Sequence, residues 1–236
     1  IPVGMYRSQR RGGRGVSGAN IKEEDYIQQL FLASTHDYLL FFTDLGKVYW
    51  RKTFEIPQAS RTSQGRAIVN FLNLEANENI TSLIKVSDFA PNKFMFMVTK
   101  QGVIKKTTLE AYSRPRSNGI VALNLKDKDQ LIGCMITDGE QEIFLATKNG
   151  KAIRFQENEI REMGRTATGV RGIRLAKGDE VIAMSLVEKD GTILVATQNG
   201  YGKKTTFNEY RCQSRGGSGV ANLKVTEKTG TIIGVI

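Results

Sequence analysis

Histidine is almost missing from this chain: His36 is the only one in 236 residues. Ser–His–acid and Cys–His nucleophilic sites, and metal sites built on several histidines, are therefore excluded. His36 itself reads as a polar residue near a strand end. Cys134 and Cys212 are too few and too isolated for a disulfide framework or a zinc site, which points to a reducing cytoplasm. Only four prolines occur, with no low-complexity tract, so the composition is not that of a disordered chain. No apolar run approaches the ~18 residues of a spanning helix, and no leader peptide is expected. The first 20 residues hold Arg7, Arg10, Arg11 and Arg14 and not one Asp or Glu.

What is present is positive charge: 34 Lys and Arg against 24 Asp and Glu, a net +10. An excess of this size favours an acidic partner, nucleic acid ahead of a membrane surface. Its densest point is Gln9–Gly15, QRRGGRG. Arginine supplies a permanent forked cation for phosphate. Glycine lets the backbone come close to a ligand and take left-handed turns.

A period of about fifty residues organises the rest. Gly15, Gly65, Gly119, Gly169 and Gly219 each follow a basic polar loop and precede an alternating strand pattern. Gly46, Gly102, Gly150 and Gly200 form a second series that closes short turns between strand-like runs. Asn149-Gly150 and Asn199-Gly200 predict tight hairpins with positive φ at both central positions. One unit runs from Glu142 to Val187 as hairpin, polar loop, strand, acidic turn and final strand. Five units follow, at approximately 1–35, 36–90, 91–138, 139–188 and 189–236. The first has the glycine loop and the later strands, with Ile21–Leu32 as acidic turn then strand, but lacks the opening hairpin. Repetition of four short strands predicts one all-β domain over 1–236, a propeller-like radial array with very little helix.

The cations share the period. Arg11, Arg61, Arg165 and Arg215 stand four residues before a loop glycine, and Pro115 takes that place between Arg114 and Arg116. Lys105, Lys106, Arg154, Lys203 and Lys204 fall three or four residues beyond a hairpin glycine; in the first full unit Lys47, Arg51 and Lys52 replace them. Equivalent positions of a radial array lie on a ring, so these residues predict a basic rim, with Arg7, Arg66 and Arg211 as further contacts. A duplex following the rim must bend, at a cost on the order of 1–6 kcal/mol for ~20–30 bp, which phosphate contacts and counterion release can offset. Nothing resembles a base-reading helix or zinc finger. Tyr6–Gly15 aligns without gaps on Tyr210–Gly219, so Tyr-Arg-x-Gln-x-Arg-Gly-Gly-x-Gly belongs partly to the repeat. Arg10 and Arg14 are what the first loop adds.

Other signals carry less. Gly13–Gly18 satisfies GxGxxG but lacks the preceding strand and following helix that a dinucleotide site requires. A disordered RGG-type binder does not fit the folded repeats. Glu23, Glu24 and Asp25 match acidic turns at Asp127/Asp129 and Asp179/Glu180, which suggests hairpin chemistry and not a metal cluster. Phe41, Phe42, Phe94, Phe96 and Phe144 belong to the core. Trp50 shares a hairpin position with Lys106, Arg154 and Lys204, which predicts exposure beside a bound duplex. No catalytic constellation is found.

Gln9–Gly15 closely resembles the seven-residue box of the C-terminal domain of the DNA gyrase A protein. Ile21–Tyr26, Thr168–Leu175 and Ala196–Lys204 also match that family. The resemblance implies a β-pinwheel whose blades exchange strands, with Gln9, Arg10, Arg11, Gly12, Gly13, Arg14 and Gly15 as box residues binding duplex DNA. It implies a non-catalytic, cytoplasmic and nucleoid-associated module that wraps DNA with little sequence selectivity, so that an ATP-dependent type II topoisomerase introduces negative supercoils. Its partners would be the N-terminal cleavage domain of the gyrase A protein and the gyrase B protein, in a heterotetramer. No cofactor or metal is expected in this module, ATP and Mg belonging to other parts of the enzyme. Family members usually have six blades. A final blade and an opening hairpin are thus expected to lie outside these 236 residues. The equivalent domain of topoisomerase IV, and a propeller scaffold for an acidic protein, are the alternatives.

Overall fold

The computed structural model describes residues 1–27 and 29–236. Its strands are β1 (Tyr38–Thr43), β2 (Lys47–Lys52), β3 (Ile80–Val86), β4 (Phe94–Thr99), β5 (Val103–Thr108), β6 (Ile120–Val121), β7 (Leu131–Thr137), β8 (Glu142–Thr147), β9 (Lys151–Gln156), β10 (Val170–Arg171), β11 (Val181–Leu186), β12 (Thr192–Thr197), β13 (Gly202–Thr206), β14 (Val220–Ala221) and β15 (Ile232–Val235). Helix is limited, among the described residues, to 3-10 turns of three or four residues.

Three antiparallel sheets have four strands each, in the orders β3-β1-β2-β6, β10-β5-β4-β7 and β11-β8-β9-β14; a fourth is β13-β12-β15. Each four-stranded sheet takes three strands from one unit and its two-residue outer strand from the next. Val170 pairs with Ile104, Val220 with Ala152 and Ile120 with Val48. Strand exchange, implied by the family resemblance, is therefore present. The strands β3, β7, β11 and β15 touch one another in succession and form the inner edge of the array. The second hairpin strands and the exchanged strands form its outer edge.

Hydrophobic clusters fill the spaces between consecutive sheets. Leu40 and Phe42 of β1 meet Met95 and Met97 of β4, and Phe96 and Val98, on the other face of β4, meet Ile143 and Leu145 of β8. These hairpin strands are covered on both faces, which is why they read as continuous apolar runs. The last hairpin strand, β12, is covered on one face only, by the preceding sheet, and its burial alternates: Ile193 and Val195 are buried while Leu194 is 48% exposed.

Two expectations need correction. The hairpin turns are not the two-residue type with positive φ at both centres. Gly150 has φ +89°, Asn149 is not left-handed, and Gly150 N–H donates to Thr147 O at 3.2 Å. This is the pattern of a longer loop ending in a left-handed glycine. Gly150 also seats the exchanged segment of the next unit, because its carbonyl accepts from Asn222 N and Leu223 N and a Cβ there would lie 2.1 Å from Leu223 O. Gly200, in the last unit, has open space at that point.

The second correction concerns the first unit. The Glu23–Glu24 turn forms, but no strand follows it among the described residues, and none follows Gly15 or Gly65. In the other units these segments pair with a hairpin of their own unit or of the preceding one. For the final strand expected of the first unit and for the loop at Gly65 that hairpin is the first unit's, and for the segment after Gly15 it is a preceding unit's; neither occurs among the described residues. Tyr26, Ile27, Leu30 and Leu32 are consequently exposed.

Candidate nucleic-acid interface

The outer edge is built in two layers. Strands β5 and β9 carry the cations that follow the hairpin glycine, and the loop of the next unit lies over each strand. Met163 N donates to Lys106 O and Gln213 N to Arg154 O, both at 2.9 Å. Parallel bridges join Lys106 to Glu162 and Arg154 to Cys212.

This covering removes much of the expected rim. Lys105 is fully buried, its Nζ donating to Ala122 O (2.6 Å), Gly164 O (3.1 Å), Ala167 O (3.3 Å) and Arg165 O. Burial, with Arg165 second, pushes its ammonium down to about 7. Lys106 is buried as well, with Nζ 3.4 Å from Glu157 O and 5.1 Å from the Phe94 ring centre. Arg154 is ion-paired with Glu142 and donates to Phe207 O and Tyr210 O at 2.9 and 3.3 Å. Lys105, Lys106 and Arg154 are joints inside the fold and do not face a duplex. Lys203 and Lys204, on the uncovered β13, are exposed, although Lys203 Nζ donates to Asn222 O at 2.6 Å.

The arginine four residues before the loop glycine has one recurrent partner. Arg61 Nη1 donates to Ser17 O, Arg165 Nη1 to Val121 O and Arg215 Nη1 to Arg171 O, at 2.8, 3.0 and 3.1 Å, in each case 44 residues back. Where Pro115 breaks the series, the corresponding oxygen, Phe71 O, accepts instead from Arg51 Nε and Nη2 at 3.0 and 2.8 Å. These guanidiniums are partly buried and each spends donors on the backbone. In the same region Lys47 pairs with Glu75, and Lys52 lies 3.6 Å from the Tyr38 ring centre. Trp50 is half-buried, edge-on to Tyr38 at 4.9 Å, which corrects its expected exposure.

Arg7, Arg10, Arg11, Arg14, Arg66, Arg114, Arg116 and Arg211 are exposed and take part in none of the ion pairs among the described residues. Four of them lie on the first loop, which is already shaped. Gly12 and Gly15 have φ +85° and +71°, close to +80° and +68° at Gly216 and Gly219. Gln9 Oε1 accepts from Gly15 N at 3.0 Å, and Tyr6 OH donates to Gly18 O at 2.7 Å. A Cβ at Gly13 would lie 2.8 Å from Gln9 Oε1. Gln9 therefore braces the loop from within while its arginines point to solvent. A cleft of about 420 Å³, lined in part by Arg7, Val16, Ser60, Arg61 and Thr62, lies where the first unit meets the second.

The family model described as DNA gyrase C-terminal domain, beta-propeller, matches residues 1–34, 37–87, 93–138, 141–188 and 191–236. The chain belongs to this family. The DNA gyrase A protein of Haemophilus influenzae is 53% identical over 171 residues, 72% of this chain and 19% of the relative. That of Salmonella typhimurium is 52% identical, again over 72% of this chain and 20% of the relative. The chain thus spans about a fifth of the length of the curated relatives it matches. Among solved structures, the C-terminal domain of DNA topoisomerase IV superposes with TM-score 0.80 at 34% identity, covering 86% of this chain and 64% of that one. The DNA gyrase A C-terminal domain gives 0.78 at 25% identity, covering 100% and 77%.

Within this gyrase-type fold, sequence reasoning missed Arg161, Arg171 and Arg174, all exposed at the outer edge. Arg161 was findable, because it occupies the repeat position of Arg7 and Arg211. Arg171 and Arg174 have no basic equivalent in most units, so periodicity passed over them. The acidic turns are hairpin chemistry, as expected. Asp129 Oδ1 accepts from Gln101 N, and Asp179 Oδ1 from Asn149 N, each at 2.9 Å.

Proposed function

We propose that this domain binds duplex DNA along its outer edge and bends it, as the wrapping module of a gyrase-type topoisomerase. The observation that carries this reading is the first loop. Arg7, Arg10, Arg11 and Arg14 are exposed on a preshaped backbone with no acidic partner. Phosphate is the ligand that matches such donors, and a chain with net charge +10 supplies further contacts around the edge. In the parent enzyme the wrap would present a nearby segment to the cleavage domain of the gyrase A protein so that ATP-driven passage yields negative supercoils. The gyrase B protein would complete the heterotetramer in the bacterial cytoplasm. This chain would contribute binding geometry, with no catalytic group and no cofactor of its own.

Titrating salt in a duplex-binding assay tests the reading. Wrapping predicts a steep fall of log affinity with log salt. A scaffold for an acidic protein predicts little duplex affinity at any salt. A shift in the linking number of a small DNA circle on addition of the domain would establish the bend and report its hand. The similarity to the topoisomerase IV domain favours a second reading, the equivalent module of that enzyme; the intact Gln9–Gly15 loop and the curated relatives favour gyrase.

A further inference from the structure

Lys105 is a cation with nothing anionic beside it. Its ammonium has three protons and four backbone acceptors, and the residue has no exposed surface. One acceptor, Ala122 O, belongs to its own unit. The other three, on Gly164, Arg165 and Ala167, belong to the loop of the next. Buried carbonyls without a donor are costly, so these oxygens and the ammonium require one another. The same position in the last unit is Lys203, which bonds the matching carbonyl, Asn222 O, at the same 2.6 Å but has no following loop above it. Tyr49 and Ile153 take the position in the other units, so the complete arrangement is found once among the described residues.

We propose that Lys105 is a positioning residue: its ammonium fixes the 160–169 loop of the fourth unit on the outer strand of the third, and so sets where Arg161 and Arg165 meet a duplex without touching it. The first half of this statement stands on geometry alone. The second half rests on the DNA-binding reading above.

The test uses the whole chain with Lys105→Met, compared in two backgrounds, the native one and Arg161→Gln/Arg165→Gln. A positioning role predicts that the Met163 and Ala167 amides exchange with solvent at least about tenfold faster while the amides of β4 and β8 are unchanged. It predicts a loss of duplex affinity in the native background that disappears once Arg161 and Arg165 are already replaced. Unchanged loop exchange, with the same affinity loss in both backgrounds, would mark Lys105 as a direct phosphate contact and overturn the proposal. If the native chain binds no duplex, the function reading fails and the exchange result alone decides the positioning role. Should Lys105→Met not fold, nitrogen-detected spectra of the native lysine ammoniums at pH 6 replace it. A slowly exchanging Lys105 signal, coupled to loop carbonyls and unmoved by added duplex, supports the proposal; a fast-exchanging signal, or one shifted by duplex, defeats it.

Discussion

Arg215 donates from Nη1 to the carbonyl oxygen of Arg171, 3.1 Å away, and so fastens the loop of one unit to the exchanged strand of the unit before. The same bond joins Arg165 to Val121 and Arg61 to Ser17. A cation that recurs with the period is first of all a joint between units. Arg10 and Arg14, which depart from the period, are left entirely to solvent.

That division predicts opposite phenotypes for two kinds of arginine. Replacing Arg10 and Arg14 with alanine should leave thermal unfolding unchanged, since neither side chain has a partner among the described residues. If each neutralises one phosphate, the slope of log affinity against log salt should become shallower by roughly 1.8. An unchanged slope would remove both from the interface. If the domain serves a gyrase-type topoisomerase as proposed, alanine throughout Gln9–Gly15 of that enzyme should abolish supercoiling and spare much of the relaxation activity; equal loss of both would count against a wrapping role.

Arg215→Gln should instead destabilise the domain by about 1 kcal/mol in urea unfolding. That is below the roughly 1.5–3 kcal/mol of a buried charged hydrogen bond, because the side chain is only partly buried. Arg211→Gln, four residues away and exposed, serves as the control and should unfold like the native chain.

Gly150→Ala and Gly200→Ala separate backbone strain from steric exclusion. Both glycines are left-handed, at φ +89° and +80°, so both variants carry a conformational cost of about 1 kcal/mol. Only at position 150 does the new methyl meet another unit, 2.1 Å from Leu223 O, whereas position 200 is open. The first substitution should therefore cost at least about 2 kcal/mol more than the second, by loosening the exchanged strand. Equal losses would mean that the Leu223 segment moves aside freely.

Glu180 links two hairpin turns, accepting from Lys148 at 3.0 Å and pairing with Lys100 at 3.1 Å. Hydrogen bonds from Lys148 and Lys100, in that order, hold its carboxyl below the ordinary glutamate value. A carboxylate depressed on folding stabilises the native state above its unfolded value and loses that contribution as the pH falls through the folded one. As the pH is lowered from neutrality through the carboxylate range, the native chain should lose more stability than Glu180→Gln. Parallel pH profiles would show that the two ion pairs contribute nothing measurable.

Much of the architecture could be read in advance. Glycines at positions 15, 65, 119, 169 and 219, with apolar runs between them, are enough to predict a repeated four-stranded unit. Burial of β4 on both faces could be foreseen from its unbroken run Phe94–Val98. The exchanged strands were harder to see, because Val170–Arg171 and Val220–Ala221 are two residues long and resemble loop ends. In the functional site, the gapless match of Tyr6–Gly15 to Tyr210–Gly219 foretold the shared backbone of the two loops. It could not show that Lys105, Lys106 and Arg154 lie beneath a loop that follows them by about sixty residues in sequence.

Sequence alone determined the repeat, the fold class and the place where positive charge is densest. Spacing and side-chain type carry that information locally, and each unit repeats it. Tertiary structure decided which charges face outward. Strand exchange lays the loop of one unit over the outer strand of its predecessor, and there buried carbonyls compete with solvent for every donor within reach. Lys105 is held by that competition, whereas Arg10 and Arg14 escape it and stay free for a phosphate.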